Sequence, residues 1–316
     1  MSKFPGVIKT NQNWPPFGPH QWNVVENRDT STINIIKETN LSYLIEVPIK
    51  AWEMRGRLIP LLEIASVITW MNSDQNVRNI WRIQFHDEDP NIRCLKFDAP
   101  ISYKERMIPD PYALATNGYA ELRESLDSVN VVKWEDRHDT IYWRGSSTGI
   151  NGLNLKNLEL NRRVHLCNMG RRIKSLDAKI TAVVQAETVE TKDKVLQILA
   201  NSDLLAPNVE PTTFAQNKWI VDIDGNVNSW GYLWKLMSGS CVLKVESGRK
   251  EWFYDEIEPY VHMVPIKSDL SNIEQQINWC LENSDKCREI SLESKKLGER
   301  ISRNIGKQVL RSIKEY

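Results

Sequence analysis

The stretches TIYWRG (140–145) and KWIVDIDG (218–225) decide the fold class of this chain. Each is a short apolar run that ends in glycine and polar residues, a pattern typical of a buried strand followed by a turn. A helical pattern, residues 187–200, lies between them. Because strands that alternate with helices form βαβ units with parallel sheets, we expect an α/β protein.

The same alternation continues outward from these two stretches. Further strands are predicted at SYLIEVPI (42–49), IWRIQF (80–85), CLKFDAP (94–100), AKITAVVQ (178–185), CVLKV (241–245) and YVHMVPI (260–266). Helices are predicted at residues 52–71 and 118–126, around Arg163, from about Ser229, and from residue 273 to the C-terminus. The first 30 or so residues show no period and are predicted to form an irregular arm. Two successive sets of elements predict two domains, residues 1–130 and 131–316. Whether the terminal helix crosses back to the first domain is left open.

The composition is that of an ordinary globular protein. The 316 residues are 41% hydrophobic and 26% charged, and Lys plus Arg and Asp plus Glu both number 41. A net charge of zero gives no electrostatic reason to expect a nucleic-acid partner. Neither a P-loop motif nor a GxGxxG motif occurs, which disfavours P-loop nucleotide hydrolysis and ordinary NAD binding.

The cysteines and the N-terminus favour a cytoplasmic protein. The five cysteines form no CxxC pair and their number is odd, so neither a disulfide framework nor a zinc site is expected. The N-terminal residues lack the basic region and apolar run of a signal peptide. The most apolar stretch, residues 58–71, contains Glu63 and is too short to span a bilayer. Peripheral membrane contact and the oligomeric state stay open.

Polar side chains concentrate where three of the predicted strands end. Asp87 and Asp89 follow the strand IWRIQF, the sequence RGSSTG (144–149) follows TIYW, and DIDGNVNSW (222–230) follows KWIV. Ligands of open α/β sheets bind at the carboxyl ends of the strands. The three strand ends are therefore the candidate functional segments.

The turn WRGSSTG (143–149) has the chemistry of a phosphate cradle. Gly145 and Gly149 let the backbone approach an anion closely, and Arg144 adds a permanent charge with a fork geometry that suits phosphate. Three hydroxyl side chains complete the turn: Ser146, Ser147 and Thr148. An equally good interpretation is a polar strand-to-helix turn in which Arg144 forms a structural ion pair.

The loop DIDGNVNSW (222–230) has three interpretations. Asp-Gly and Asn are turn formers, so a hairpin or Asx turn is the simplest. A calcium loop is disfavoured, because the glycine is misplaced and no Glu closes the loop at the EF-hand spacing. A nucleotide-contacting loop at a helix N-terminus is the better functional interpretation, since Ser229 can cap the helix beneath it. Its candidate contact residues are Asp224, Gly225, Asn228 and Ser229.

These segments, in this order, resemble glycosyltransferase family 90. The resemblance runs over about residues 80–290 and includes IPDPYALATNGYAELR (108–123), IYWRGSSTG (141–149), KWIVDIDGNVNSWGYLWKLMSGSCVLKV (218–245) and EWFYDEIEPYVHMVPIKSDLSNIEQQINW (251–279). The last two blocks together are the most specific part. Residues 1–40 match no part of the family pattern.

The resemblance implies a GT-B fold, in which two Rossmann-like domains face a cleft. Residues 1–130 are then the acceptor-side domain with the catalytic base, and residues 131–316 the domain that binds the sugar nucleotide. The implied reaction is an inverting, metal-independent transfer from a UDP-sugar donor to a hydroxyl acceptor, without a cofactor. The protein O-glucosyltransferases carry an arginine shortly after the serine of the glycine loop, where this chain has Ser229-Trp230-Gly231. The chain therefore resembles the bacterial branch more closely, which implies a surface glycan such as lipopolysaccharide or capsule as acceptor.

The resemblance also assigns roles to individual residues. The family's catalytic base is an Asp that follows a strand of the first domain, and IQFHDEDP (83–90) puts Asp87 at that position, with Asp89 as the alternative. Since no metal is implied, arginines and turn amides have to balance the charge of the leaving diphosphate. The phosphate-binding residues that the resemblance implies are Arg144, Gly145, Ser146 and Arg163, with Arg162 adjacent to the last.

Two alternatives from other classes remain. A degenerate transferase fold could bind a sugar nucleotide or a glycan without turnover, and it would not need Asp87. A metal-dependent hydrolase could use His86, Asp87 and Asp89 as ligands. The variant Asp87→Asn separates the enzyme from the binder, and activity that survives EDTA excludes the hydrolase.

Overall fold

The computed structural model describes residues 21–28, 31–40, 42–71, 79–87, 90, 92–129 and 132–316. These residues form two compact units. Unit 1 comprises the described residues up to Gly118 together with Asn304–Tyr316, and unit 2 comprises Tyr119–Arg303.

Unit 1 is built around a four-stranded sheet. Its strands are β1 (Gln21–Asn27), β2 (Thr32–Lys37), β3 (Ser42–Pro48) and β4 (Ile80–Gln84), in the spatial order β1-β3-β2-β4. β1 pairs parallel to β3, whereas β2 pairs antiparallel to both β3 and β4. The parallel sheet expected in the first half is therefore a mixed one. The reason is that the short connection at residues 38–41 permits a hairpin but no crossover between β2 and β3.

The other elements of unit 1 follow the predicted pattern with shifted ends. A 3-10 helix (Ile49–Glu53) precedes α1 (Arg55–Met71), and β5 (Ala99–Pro100) and α2 (Pro111–Ala115) come later in the chain. The strand predicted at residues 94–100 is thus reduced to two residues. The irregular arm is wrong for Gln21–Asn27, which forms β1. Residues 1–20 of that arm lie outside the described residues.

Apolar side chains of β3 and α1 form much of the core of unit 1. Alternate residues of β3 are buried, as a strand with one covered face requires. The side chains from these two elements that are fully buried include Tyr43, Ile45, Val47, Leu61 and Ile68. Across the described part of the chain, no helix combines the length and the apolarity needed to cross a membrane.

Unit 2 alternates strands and helices. Its helices are α3 (Ala120–Val129), α4 (Arg162–Gly170), α5 (Val189–Asn201), α6 (Pro211–Phe214), α7 (Tyr232–Met237), α8 (Ile273–Glu282) and α9 (Ser284–Arg303). Its strands are β6 (His138–Ser146), β7 (Leu176–Ala182), β8 (Asn217–Asp222), β9 (Cys241–Val245), β10 (Arg249–Lys250) and β11 (Val264–Ile266). Three 3-10 helices lie at Trp134–Asp136, Leu158–Leu160 and Tyr254–Glu256. The strand predicted at residues 260–266 is shorter, and the helix predicted from Ser229 begins at Tyr232.

Five of these strands form a parallel sheet in the order β11-β9-β8-β6-β7. All five residues of β9 are buried, which is expected of a strand covered on both faces. The predicted α/β class is confirmed.

The two faces of this sheet differ in chemistry. One face packs into an apolar core that includes Trp143, Trp219 and Leu243. Side chains alternate along a strand, so the residues next to these point to the other face. There Asp222 of β8 and Lys244 of β9 are partners in the register of the two strands. A pair of opposite charges is thereby built into the covered sheet.

The unit boundaries differ from the predicted division at residue 130. Helix α3 belongs to unit 2, where it packs against α7 and α9 and Arg123 donates a hydrogen bond to the Ser302 hydroxyl. Helix α10 (Ile305–Glu315) belongs to unit 1. There the side chains of Gln308 and Ser312 both donate to the carbonyl of Met107 at 2.8 Å.

Candidate functional site

Two segments follow neighbouring strands of the unit 2 sheet. The β6 turn (residues 146–149) follows β6, and the β8 loop (residues 223–231) follows β8. The chain leaves β6 for β7 on one side and leaves β8 for β9 on the other side. Ligands of open parallel sheets bind where the strand order reverses in this way. The two segments therefore mark the candidate site.

Arg163, in the first turn of α4, joins the β6 turn to the β8 loop. Its guanidinium donates to the Ser146 carbonyl at 3.1 Å and to the Thr148 hydroxyl at 2.6 Å. It also donates to the carbonyls of Ile223 and Asp224, both at 3.0 Å. Four of its five N–H groups are thus used on described residues, which leaves one for a ligand. Burial lowers the pKa of Arg163 to about 10, so the group stays charged at neutral pH.

The two segments approach each other so closely that glycine is required in both. A Cβ atom on Gly225 would lie 2.5 Å from Oγ1 of Thr148 and 3.2 Å from Nη2 of Arg163. Gly149 has a φ of +124°, which other residues rarely adopt, and its N–H donates to Oδ1 of Asn226 at 3.0 Å. The backbone at Gly149 is predicted to approach an anion, but in the structure it approaches the β8 loop at Gly225.

Two predicted members of the cradle point into the protein. The Ser147 side chain is fully buried, and its hydroxyl donates to the Val184 carbonyl and accepts from the Val184 N–H. Its predicted hydroxyl contact with a phosphate is therefore corrected, because both hydrogen-bonding roles are taken within the fold. A Cβ atom on Gly145 would lie 2.7 Å from the Trp143 ring, so this glycine makes room for the ring. Ser146 is partly exposed.

Arg144 is turned away from the β6 turn. Its guanidinium forms an ion pair with Asp177 at 2.8 Å and also donates to the carbonyls of Trp143 and Asp177. The same group stacks over the ring of Tyr142, 4.4 Å from its centre. The structure therefore favours the second interpretation of Arg144, a structural ion pair, over a direct phosphate contact.

The β8 loop holds one polar side chain that is buried and unpaired. Asn228 is 4% exposed, and neither atom of its amide has a hydrogen-bond partner among the described residues. An unsatisfied buried amide is costly, so such a group marks a place where a ligand or water completes the hydrogen bonds. Of the predicted contact residues, Asn228 is the one whose side chain is free to meet a ligand from a buried position.

Ser229 has a different role from the one predicted. Gly231 precedes α7 and no side chain caps that helix, so the predicted cap by Ser229 is wrong. The Ser229 hydroxyl instead donates to Asp222 at 2.7 Å, and its N–H donates to the Asp224 carboxylate at 3.2 Å. A hydrogen bond to an ionised carboxylate is stronger than one between neutral groups, which explains why the hydroxyl pairs with Asp222 and not with the helix N-terminus.

A buried group of charges lies beneath the β8 loop. Asp222 is fully buried and accepts from Nζ of Lys235 at 2.6 Å and from Nζ of Lys244 at 2.7 Å. Lys244 also donates to Asp224 at 2.9 Å. Burial by itself would raise the pKa of Asp222, but the two lysines outweigh it and hold that pKa well below its ordinary value. Burial likewise opposes the charge of Lys244, yet the two carboxylates raise its pKa.

Sequence reasoning missed three residues that support the site. Asn161 caps α4 by accepting from the N–H groups of Arg163 and Val164, and its amide donates to the Ser147 carbonyl at 2.7 Å. An Asn directly before a helical pattern is a recognisable capping signal. Lys235 and Lys244 carry the weaker signal of a lysine within an apolar run, which does not reveal its partners.

Asp87, the predicted base, lies in unit 1 at the end of β4. Its carboxylate forms an ion pair with Arg57 of α1 at 2.6 Å, and both side chains are mostly buried. Asp89, the alternative base, lies outside the described residues.

Nearby in the chain, Asp110 caps α2 through the N–H groups of Tyr112 and Ala113. Burial raises the pKa of Asp110 to about 7, despite these hydrogen bonds.

The metal-site alternative concerns His86, Asp87 and Asp89. Among the described residues, no group of three or more His, Cys, Asp and Glu side chains could hold a metal ion. His86 and Asp87 are among these described residues, whereas Asp89 is not. Metal independence therefore stays a prediction.

Known sequences extend these observations. Residues 115–302 match the sequence model of Glycosyl transferase family 90, which is more than half of the chain. Uncharacterized protein 179R of Invertebrate iridescent virus 6 is 35% identical over 190 residues, covering 54% of this chain and 16% of that protein. Protein O-glucosyltransferase 1 of Bos taurus is 24% identical over 246 residues, covering 73% of this chain and 57% of that protein. The chain thus spans only part of the length of these relatives.

Solved structures include a similar protein with a bound sugar nucleotide. Anabaena Alr3699/HepE, in complex with UDP-glucose, aligns with a TM-score of 0.40 at 10% sequence identity. The alignment covers 63% of this chain and 53% of that one.

Proposed function

Because the chain belongs to glycosyl transferase family 90, we propose that it transfers a sugar from a UDP-sugar to a hydroxyl group of an acceptor. In this reaction the acceptor oxygen attacks the anomeric carbon while the bond from that carbon to UDP breaks. UDP leaves with the electron pair, and the hydroxyl proton passes to a carboxylate. A single displacement of this kind inverts the configuration at the anomeric carbon.

The observation that carries the proposal is the junction of the β6 turn and the β8 loop through Arg163, at the reversal of strand order. A guanidinium fixed by four hydrogen bonds is already oriented, so it loses little further conformational entropy when it binds an anion. The charge that develops on a leaving diphosphate is stabilised best by such fixed donors.

We assign contacts with the donor to the residues whose groups remain available. Arg163 has one N–H left, Thr148 can still donate its hydroxyl hydrogen, and Ser146 is partly exposed. The Asn228 amide can both donate and accept, which suits a nucleoside better than a phosphate. Four predicted site residues receive supporting roles in shaping the two segments: Arg144, Ser147, Asp224 and Ser229.

We propose Asp87 as the base that accepts the acceptor's proton, with Asp89 as the alternative. Asp87 follows a buried strand of unit 1, and Arg57 holds its carboxylate in one orientation. A base that is positioned in this way contributes about 10²–10⁴-fold to the rate.

The finer parts of the proposal rest on the sequence resemblance. They are inversion, independence of metal ions, and a glycan acceptor such as lipopolysaccharide or capsule. A cytoplasmic location is supported by the five cysteines, which are all free and buried.

The test is a screen of the purified chain against a panel of nucleotide sugars with glycan acceptors. We expect UDP to be released from one donor in the presence of an acceptor, and the release to persist in EDTA. If no nucleotide sugar binds, the assignment fails. Activity that is lost in EDTA and restored by a divalent cation would contradict metal independence.

The role of Asp87 is tested in the same assay. Asp87→Asn should lower the transfer rate by about 10²–10⁴-fold and leave UDP affinity unchanged. Glu105→Gln is the control, because Glu105 is an exposed carboxylate of unit 1 that is paired with Arg93. Full activity in Asp87→Asn would transfer the role of the base to Asp89. A wild-type chain that binds a sugar nucleotide but shows no turnover would indicate a sugar-nucleotide binder.

A further inference from the structure

Two buried lysines beneath the β8 loop, Lys235 of α7 and Lys244 of β9, share a carboxylate partner. Lys235 and Lys244 are 7% and 5% exposed, and each donates to one oxygen of Asp222. Each also lies over two aromatic rings, those of Phe214 and Trp234 for Lys235 and those of Tyr232 and Tyr254 for Lys244. Both therefore offset the charge of the buried Asp222.

The two lysines differ in the number of carboxylates that they contact. Lys244 donates to the Asp224 carboxylate at 2.9 Å, whereas the one carboxylate that Lys235 contacts is that of Asp222, within the described residues. Asp224 belongs to the β8 loop, and Asp222 is the last residue of β8. Of the two lysines, only Lys244 thus connects the regular sheet to the loop.

The contact between Lys244 and Asp224 holds the β8 loop to the sheet, while Arg163 holds the loop to the β6 turn. The Asp224 carboxylate accepts from Lys244 and from the Ser229 N–H, and the Asp224 carbonyl accepts from Arg163. Residues 223–231 have no helix or strand to order them. Fixing such a segment costs conformational entropy, so a charged anchor on a buried strand determines how often the loop is in one conformation.

We propose that Lys244 is a positioning residue for the donor site: by holding Asp224 it keeps the β8 loop, and with it Asn228, in the conformation that receives the nucleotide. The inference rests on the proposed function. Lys244 touches no ligand itself, since its ammonium is buried between two carboxylates. If the loop is correctly folded only part of the time, the apparent affinity for a nucleotide falls by that fraction.

The test compares Lys244→Met with Lys235→Met, using UDP as the probe. Both variants leave Asp222 with one lysine, but Lys244→Met also removes the cation beside Asp224, so we expect it to lose more stability in urea unfolding. Titration with UDP should give an affinity at least about tenfold weaker for Lys244→Met and within about twofold of the wild type for Lys235→Met. Amide hydrogen exchange of residues 225–228 should be faster in Lys244→Met alone.

The outcomes separate the inference from the proposed function. Equal loss of UDP affinity in the two variants, or none in either, would overturn the positioning role while the proposed function stands. A wild-type chain that does not bind UDP would overturn the proposed function and this inference with it. If Lys244→Met does not fold, Lys244→Gln replaces it, because glutamine keeps a hydrogen-bond donor. Failure of both to fold while Lys235→Met folds would overturn the inference, since Lys244 would then serve the fold as a whole.

Discussion

The start of α2 in unit 1 and the end of β8 in unit 2 each bury an aspartate completely, and the two carboxyl groups behave in opposite ways. Asp110 accepts two backbone hydrogen bonds at the start of α2, and burial raises its pKa to about 7. Asp222 accepts from two lysines and a serine, and its pKa is held well below the ordinary value. In both places burial has the largest influence on the pKa of the carboxyl group, and in both it acts to raise that pKa.

The difference shows that the hydrogen-bonding partners, more than the degree of burial, decide whether a buried carboxyl group is charged. Backbone N–H groups offset part of the lost hydration of Asp110 but bring no charge. The lysines of Asp222 bring two charges at hydrogen-bonding distance, and their attraction is weakly screened inside the protein. We therefore expect the free energy of unfolding to respond differently in the two regions, both when the carboxyl group is neutralised by substitution and when the pH is changed.

Removing the charge of Asp222 should have the largest effect. Asp222→Asn leaves one buried ammonium without a counter-charge, which costs about 3–5 kcal/mol of the free energy of unfolding. Urea unfolding at neutral pH measures the loss. A change below about 1 kcal/mol would show that the lysines lose their protons readily, and the contrast with Asp110 would then break down.

The response of Asp110 to pH should at most equal the effect of Asp222→Asn. Its pKa is raised on folding, so the unfolded chain loses the proton first, and the stability contribution falls as pH rises from about 4 to about 7. Asp110→Asn keeps an oxygen that caps α2 and removes this dependence. The difference in unfolding free energy between variant and wild type should grow by up to about 1.4 kcal/mol per pH unit across that interval and then level off above pH 7. Parallel stability profiles from pH 4 to pH 8 would contradict the raised pKa.

Removing an exposed ion pair should have the smallest effect. Lys218 and Asp139 lie 2.5 Å apart, much like Lys235 and Asp222, but Asp139 is 72% exposed. Because water already solvates that carboxylate, Asp139→Asn should change the unfolding free energy by about 0–1 kcal/mol. A loss as large as that of Asp222→Asn would mean that distance rather than burial governs these pairs. Urea unfolding of the two variants side by side decides between them.

Much of unit 2 could be predicted from the sequence because its signals are local. The runs that became β6, β8 and β9 are apolar and end in turn residues, so their positions and the strand-end location of the candidate site follow from short segments. Unit 1 was harder to predict. β3 and β4 were predicted, but β2 was not, and its hairpin with β3 makes the sheet mixed. β1 was also missed, because it lies where an irregular arm was predicted.

The candidate site was predicted at the level of segments and less well at the level of side chains. The glycines and Arg163 lie where the two segments meet, and Asn228 is buried and unpaired in the loop. Ser147 and Arg144 have the chemistry of phosphate ligands, yet each is engaged by a neighbour outside the turn, Val184 and Asp177. Residue type indicated what these groups can bind, and their surroundings determined what they do bind.

Within unit 2, local sequence is enough to locate most of the strands and to show that glycine and hydroxyl residues follow β6 and β8. Tertiary structure alone decided that Arg163 joins the two segments and that Lys244 reaches Asp224, twenty residues away in the chain. The physical reason is range: hydrophobic periodicity and turn preference act over a few neighbouring residues. A buried charge, in contrast, is matched with whatever charge the packing of distant strands and helices brings within about 3 Å.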